Sequence, residues 1–376
     1  MKILITGASG FVGKNLIAEL HNQGFDDLLE YDVDTDPDLL DIYAQECKFV
    51  FHLAGVNRPE NPADFMTGNF GFTSQLLEAL KKYKNKASIL ISSSIQAAQD
   101  NPYGHSKKAG EDLMFMYSKE TDSKVYVYRL PNVFGKWCRP NYNSAVATFC
   151  NNIAHNLPIH VNDSNAIMNL AYVDDVVASF IDKLRIESIS ELTNHFEEVN
   201  PIYTITLGEI VLLLNQFKES RTTMQLPDMG NSFEKKLYST YLSYLPEDKF
   251  SYPLKMNVDE RGSFTEFLKT NNRGQVSVNI SKPHITKGNH WHHTKNEKFL
   301  VVTGKGVIRF RKIDSKEIIE YFVSGEKLEV VDIPVGYTHN IENLGDTDMV
   351  TIMWVNEVFD KEKPDTYYLL LTPEGE

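Results

Sequence analysis

Three groups of residues in this chain have types and spacings suited to chemistry. Gly7-Ala8-Ser9-Gly10-Phe11-Val12-Gly13 follows a short apolar run and opens a helical pattern. Glycines there let the backbone turn tightly and approach a pyrophosphate, and the helix start adds unpaired N–H groups and partial positive charge. Gly7, Ser9, Gly10, Phe11, Val12 and Gly13 are therefore candidate dinucleotide contacts. Asp32, roughly 20 residues further on, is placed to bind ribose hydroxyls. The second group is Tyr103-Gly104-His105-Ser106-Lys107, which puts a phenol and an ammonium on one helix face. A neighbouring cation favours the phenolate, so Lys107 is expected to lower the Tyr103 pKa and make it a better proton donor. Ser92-Ser93-Ser94, just upstream, ends an apolar run where a hydroxyl can polarise a carbonyl. The third group is His290, His292, Glu297 and the distant His339. In a strand His290 and His292 share a face. Three imidazoles and a carboxylate form a mixed N/O donor set suited to zinc, and also to nickel, iron or manganese. His293 faces the other way and is not expected to be a ligand, and His284 has no evident partner.

The surrounding pattern must position these groups. Strand-like runs at Lys2–Thr6, Asp27–Tyr31, Lys48–Leu53, Ala87–Ser92 and Lys124–Leu130 alternate with helical stretches at Phe11–Gln23, Ala63–Tyr83 and Tyr103–Lys119. That alternation predicts a doubly covered parallel sheet. From about Tyr252 the pattern changes to short Val/Ile/Phe runs between turns, among them Val276–Ile280, Phe299–Thr303, Val307–Arg311, Ile318–Val323, Leu328–Ile333 and Met349–Val355. Many short strands at this spacing predict an all-β barrel or sandwich. The expected domains are 1–245 and 246–376.

The 376 residues suffice for about two domains. At 42% hydrophobic and 24% charged, the composition is globular. A net charge of 38 − 51 = −13 disfavours nucleic-acid binding. Cys47, Cys138 and Cys150 show no metal or disulfide spacing, which suits a reducing, cytoplasmic compartment. No apolar run approaches the roughly 20 residues of a membrane helix, and the first residues meet turn chemistry too early for a signal peptide.

Residues 1 to about 245 resemble the extended short-chain dehydrogenases/reductases that modify nucleotide sugars. The resemblance rests on the glycine loop, His52-Leu53-Ala54-Gly55, Asn69, Ser92-Ser93-Ser94, Tyr103 with Lys107, Pro131-Asn132-Val133-Phe134-Gly135 and Tyr172-Val173-Asp174-Asp175-Val176. It implies a Rossmann fold and hydride transfer between a nicotinamide and a sugar carbon. By position, Tyr103 is the implied general acid, and Lys107 orients the ribose and tunes Tyr103. Ser94, in preference to Ser93, is implied to hydrogen-bond the substrate oxygen, and Asn69 to support the proton path. Leu53 and Ala54 are implied beside the cofactor, and Asn132 near the sugar nucleotide. Asp32 would repel a 2′-phosphate and argues for NADH. The resemblance implies NADPH, which is the expected cofactor, with NADH as the alternative.

The histidine-rich stretch and Pro334-Val335-Gly336-Tyr337-Thr338-His339 resemble the two cupin motifs, except that Leu328 stands where the second usually opens with glycine. Asp259-Glu260-Arg261-Gly262-Ser263-Phe264-Thr265-Glu266 resembles the opening of nucleotide-sugar 3,5-epimerases, which are also cupins. That likeness implies that Arg261 binds phosphate and that Phe264 and Glu266 line a sugar-nucleotide pocket. A reductase fused to a metal-binding cupin resembles the bifunctional bacterial capsule enzymes of the N-acetyl-L-fucosamine precursor route. The implied substrate is a UDP-linked 2-acetamido-2,6-dideoxy-hexos-4-ulose. Its carbon 3 is inverted in the cupin domain and its ketone reduced in the other, giving UDP-2-acetamido-2,6-dideoxy-L-talose. A divalent metal, zinc first, and a homodimer are expected. Two rivals are a single-function ketoreductase whose cupin binds metal structurally, and a dinucleotide-binding sensor without turnover.

Overall fold

The computed structural model describes residues 1–185, 196–254, 257–259, 262–264, 274–357 and 362–372, with the backbone alone at 257–259, 262–264, 275 and 277. The chain divides into two compact units, Met1–Ala145 with Ile167–Ile205, and Val146–Ala166 with Thr206–Glu376.

The first unit begins with β1 (Ile3–Thr6), α1 (Phe11–Asn22), β2 (Leu28–Tyr31), α2 (Leu39–Glu46) and β3 (Phe49–His52). It continues with α3 (Ala63–Phe65), α4 (Phe72–Lys82), β4 (Ser88–Ser94), α5 (Pro102–Thr121), β5 (Val125–Leu130) and β6 (Asn132–Phe134). After α6 (Ala145–Ala154), which runs into the second unit, it is completed by β7 (Ile167–Tyr172), α7 (Val173–Arg185), β8 (Phe196–Glu197) and β9 (Tyr203–Thr206). The main sheet has the order β2-β1-β3-β4-β5-β8, and its strand pairs are parallel. A smaller sheet, β6-β7-β9, stands beside it. In β1, Ile3 and Ile5 face one apolar cluster with Leu16, Leu20, Val176 and Phe180, while Leu4 faces another with Leu76, Leu80, Ile89 and Met114. Both faces are therefore covered, which is why the strands read as continuous apolar runs. Each such side chain taken fully from water contributes about 1.5–3 kcal/mol before entropy is counted. The order reverses between β1 and β3, and ligands of such sheets bind outside the carboxyl ends at that switch. The glycine loop leaves β1 there, and His52-Leu53-Ala54-Gly55 leaves β3 beside it.

The expected continuous helix 63–83 is interrupted. Residues Met66–Gly71 form a π-helical turn between α3 and α4. Val56 packs so closely that a Cβ on Gly68 would lie 2.3 Å from its Cγ2. Asn69 in this turn is drawn onto the Val56 backbone by two hydrogen bonds, N–H to Oδ1 at 2.8 Å and Nδ2 to carbonyl at 2.9 Å. The turn inserts a functional-type residue at the expense of the regular ladder, as π-bulges often do.

The second unit carries α8 (Leu207–Thr223), α9 (Ser232–Leu242), β10 (Ser251–Pro253), and the hairpin of β11 (Asn257–Asp259) and β12 (Gly262–Phe264). Then follow β13 (Gln275–Ser281), β14 (Thr286–Trp291), β15 (Glu297–Thr303), β16 (Lys305–Lys312), β17 (Ile318–Ser324), β18 (Glu329–Ile333), β19 (Tyr337–Asn343), β20 (Met349–Val355) and β21 (Tyr367–Tyr368). Two five-stranded sheets result, β10-β18-β15-β20-β13 and β17-β16-β19-β14-β21, and their strand pairs are antiparallel. The expected all-β cupin barrel is this pair of sheets. Phe299 of β15 meets His339 of β19 across them, ring centroids 6.1 Å apart. Leu300 faces the other way and packs with Val330, Leu254 and Met224. A Thr206 and Glu209 capping box starts α8. Among the described residues, no helix is long and apolar enough to cross a membrane.

Candidate functional site

The glycine loop is held at backbone distance from the β3 turn. Gly7 has φ +71°, and a Cβ there would lie 2.7 Å from Ala54 N and 2.9 Å from the Leu53 carbonyl carbon. Gly13 presses α1 onto the loop, since its Cβ would meet Gly7 O at 2.2 Å. No side chain caps the first turn of α1 at Gly10, and no acid stands in that turn, so its N–H groups are available to an anion. Asp32 accepts the Ser9 N–H at 2.8 Å and the Ser9 hydroxyl at 2.6 Å. Burial opposes its charge, but the Ser9 and Val33 hydrogen bonds outweigh burial and hold the carboxyl below its ordinary range. Leu53, Ala54 and Asp32 thus lie against the loop, and its free N–H groups beside an ionised carboxylate suit the pyrophosphate and ribose of a dinucleotide.

α5 starts on the Asn101 side chain, which accepts the Gly104 N–H at 2.8 Å, with Pro102 preset for the first turn. Tyr103 and Lys107 therefore face the carboxyl end of β4. Lys107 donates to the Ser92 carbonyl at 3.2 Å and lies 5.9 Å from the centre of the Tyr103 ring. Phe65 packs against the Tyr103 ring, centroids 5.5 Å apart. Gly55 lets Asn69 and Lys107 approach closely, because a Cβ there would meet Asn69 Oδ1 at 2.8 Å and Lys107 Nζ at 3.0 Å. Ser94 sits against the Tyr103 phenol. Ser93 points away and donates at 2.6 Å to Glu111, which is fully buried and held bidentately by Arg129. Asn132 is exposed at the start of β6.

The expected lowering of the Tyr103 pKa is not found. Burial raises it, and the Ser94 hydrogen bond only partly offsets the rise. Lys107 is itself pushed down to about 8 by burial, with Glu111 opposing. Burial disfavours the charged form of each group, and for Tyr103 that cost sets the direction of the shift.

One buried chain of polar groups was not legible as a unit in the sequence. Thr73 donates to the Asn69 carbonyl at 2.6 Å, so it accepts from His52 Nε2 at 2.8 Å. His52 Nδ1 then accepts from the Thr6 hydroxyl at 2.7 Å, and Thr6 Oγ1 accepts the Ala54 N–H at 3.3 Å. Asn69 extends the chain by donating to Ser106 at 2.9 Å. This direction fixes the His52 tautomer with the proton on Nε2. Burial first, and Lys107 second, push His52 down to about 3 from 6.5. Its stabilising neutral form is fully present above 6.5 and is lost as pH falls toward 3, because the unfolded chain takes the proton first. His52 alone then contributes an acid slope of up to about 1.4 kcal/mol per pH unit. His52→Gln is expected to show a shallower fall of its urea midpoint between pH 6.5 and 4.5 than the parent; equal slopes refute this.

In the second unit, β14 bulges between Gly288 and His290, with Asn289 at φ +59°, and this turns His290 inward. The rings of His290 and His292 lie 4.9 Å apart, and those of His290 and His339 4.6 Å apart. Glu297, at the start of β15, puts Oε2 3.2 Å from His339 Nε2 and 3.5 Å from His292 Nε2. One donor atom from each of the four lies within 4.8 Å of the others. His292 Nε2, Glu297 Oε2 and both His339 nitrogens are buried without a hydrogen-bond partner. Buried polar atoms are rarely left so, and convergent N and O donors fit a divalent cation. Burial, then His339 and His292, push His290 down to about 3, so it stands as a neutral imidazole. His293 packs on Trp291 and Tyr367 at 4.6 and 5.1 Å and is outside the cluster. His284 has a partner after all, exposed Asp346 at 3.6 Å. Lys298, next to Glu297, turns to the opposite sheet face, where it pairs with buried Asp332 and donates to Tyr252 at 3.1 Å. Arg261 and Glu266 lie outside the described residues, and Phe264 is described by its backbone alone, in β12.

A family model described as the NAD dependent epimerase/dehydratase family matches residues 3–185. A second, the polysaccharide biosynthesis C-terminal domain, matches residues 257–367. A UDP-2-acetamido-2,6-beta-L-arabino-hexul-4-ose reductase from Pseudomonas aeruginosa is 45% identical over 368 residues, 98% of each chain. Among solved structures, the capsular polysaccharide assembling protein CapF from Staphylococcus aureus is 61% identical, with 98% of this chain and 100% of that one covered and a TM-score of 0.67. UDP-glucose 4-epimerase from Thermotoga maritima, 22% identical with a TM-score of 0.51 over 58% of this chain and 82% of its own, shares the fold. With the glycine loop and Tyr103–Lys107 pair in one unit and the histidine cluster in the other, the chain belongs to the short-chain dehydrogenase/reductase-type enzymes of capsular polysaccharide biosynthesis.

Proposed function

We propose that the chain acts twice on one UDP-linked 2-acetamido-2,6-dideoxy-hexos-4-ulose: inversion at carbon 3 in a cupin domain, 246–376, and reduction of the 4-keto group in a reductase domain, 1–245. The product is UDP-2-acetamido-2,6-dideoxy-L-talose. The observation that carries this reading is the coexistence of two complete clusters, Ser94–Tyr103–Lys107 and His290–His292–Glu297–His339, in separate units. The 45% identical reductase supports the substrate class.

The order follows from the substrate. The ketone acidifies the carbon 3 proton, and reduction removes the ketone, so inversion must come first. NADPH, when bound, supplies the hydride. The Tyr103 phenol, kept protonated by burial, gives its proton to the carbonyl oxygen while Ser94 donates a hydrogen bond to the same atom. Lys107 stands between the Ser92 carbonyl and the Gly55 turn, where it orients the ribose. Asn69, fixed by Val56 and Ser106, supports the return path of the proton. Gly7, Ser9, Gly10, Phe11, Val12 and Gly13 receive the pyrophosphate, Leu53 and Ala54 border it, and Asp32 binds the ribose. In the cupin domain the four-residue cluster would hold a divalent cation, zinc by its donor set, which supplies Lewis acidity toward a ketone oxygen. Arg261, Phe264 and Glu266, with Asn132 in the reductase domain, bind the sugar nucleotide.

Structural metal sites close with four protein ligands, whereas catalytic ones usually keep an open position. The four-donor cluster therefore also favours a second reading, a single-function ketoreductase with a structural cation. The full chain with the keto sugar in deuterated water separates the two. Deuterium at carbon 3 without NADPH, followed by a reduced sugar when NADPH is added, is expected. Reduction with no exchange at carbon 3 selects the second reading.

A further inference from the structure

The segment 362–372 runs back along the strands that carry the histidines. β21 pairs with β14 through His290↔Tyr368 and Trp291↔Tyr367. The Leu369 N–H donates to Asn289 O at 2.9 Å, and buried Arg311 donates to the carbonyls of Leu371 and Leu370 at 2.6 and 2.9 Å. Asp365 stands just before β21. Its Oδ1 accepts the His293 N–H at 3.0 Å. Its Oδ2 accepts the Thr294 N–H at 2.8 Å, the Lys295 N–H at 2.6 Å and the Thr294 hydroxyl at 3.1 Å. Its own backbone carbonyl accepts from His292 Nδ1 at 2.6 Å. One residue thus holds three consecutive amides of the loop between His292 and Glu297, and also the outer nitrogen of His292.

The last bond settles the His292 tautomer. Nδ1 carries the proton to Asp365, which leaves Nε2 as the lone-pair nitrogen 3.5 Å from Glu297 Oε2. A carbonyl or carboxylate on the outer nitrogen orients a ligating imidazole and raises its basicity, and losing such partners costs 10–100-fold in metal affinity.

We propose that Asp365 is a positioning residue for the histidine–carboxylate cluster: it clamps residues 293–295 and aims His292 Nε2 at a divalent cation. The inference rests on the reading of that cluster as a metal site. It is specific, since the sheet pairing of β21 supplies attachment without Asp365, while only Asp365 touches both the ligand ring and its loop among the contacts described.

The test is cobalt(II) titrated into full-length, metal-stripped parent, Asp365→Asn and Asp365→Ala, with affinity read against a competing chelator and geometry read from the visible cobalt bands. Asn suits the positive φ of +38° at this position but offers one acceptor oxygen in place of two. The main-chain carbonyl on His292 Nδ1 survives both substitutions, so the variants read the side-chain clamp on residues 293–295. Cobalt affinity is expected to fall about 10-fold, the low end of outer-shell losses, in the Ala variant and less in the Asn variant, with shifted bands in both. If the Ala variant does not fold, the Asn variant carries the test alone. Parent-like affinity and bands in a folded variant overturn the role of Asp365 even if its thermal midpoint drops. No cobalt uptake by the parent overturns the metal reading itself, and the inference with it.

Discussion

Tyr103→Phe is expected to slow ketone reduction by about 10²–10⁴-fold, the usual worth of a positioned proton donor. The ring survives the substitution, so its contact with Phe65 at 5.5 Å and the pocket shape are kept. Only the hydroxyl beside Ser94 is lost. NADPH affinity should therefore stay within a few-fold of the parent's, and kcat should carry the loss. Carbon 3 exchange in deuterated water should continue at the parent rate, because the histidine cluster lies in the other unit. Loss of absorbance from NADPH follows the reduction, and mass spectrometry of the sugar follows the exchange at carbon 3. A variant that still reduces at near-parental rate assigns the proton to another group. Burial holds the Tyr103 phenol protonated and pushes Lys107 to about 8, so titration of Lys107 is the first candidate for any alkaline decline in reduction.

His339→Ala is expected to abolish metal retention. His339 is 1% exposed, and both its ring nitrogens lack hydrogen-bond partners. Removing the ring leaves three donors around a cavity and leaves Glu297 Oε2 without the imidazole 3.2 Å away. Affinity should fall by more than the 10–100-fold typical of outer-shell losses. After dialysis against a chelator, elemental analysis should find metal in the parent and almost none in the variant. Carbon 3 exchange should vanish with the metal while any ketone already of the inverted configuration is still reduced. A variant that keeps both metal and exchange refutes the ligand assignment.

Much of the candidate site was legible because its parts are close in sequence. The glycine loop is seven consecutive residues, and Tyr103 and Lys107 are one helical turn apart. Local backbone sterics impose those spacings whatever the rest of the chain does. The alternation of strands and helices, and the change to short strands beyond Tyr252, were legible for the same reason. The interruption of helix 63–83 was not, since Gly68 yields to Val56 across a loop and nothing in the helix itself asks for a π turn.

The amino-acid order by itself determined which residues of this protein can do chemistry and which element each stands on. Only the tertiary structure decided how they are held and charged. Thr6 and His52 are 46 positions apart, and Asp365 and His293 are 72 apart. Those contacts exist because β1 lies beside β3 and the C-terminal segment beside β14. The direction of the Tyr103 shift was likewise set by burial, which depends on what the rest of the chain places around the phenol and not on the spacing to Lys107. Periodicity reports forces between near neighbours in the chain; desolvation and long-range hydrogen bonds come into being only when the sheets close.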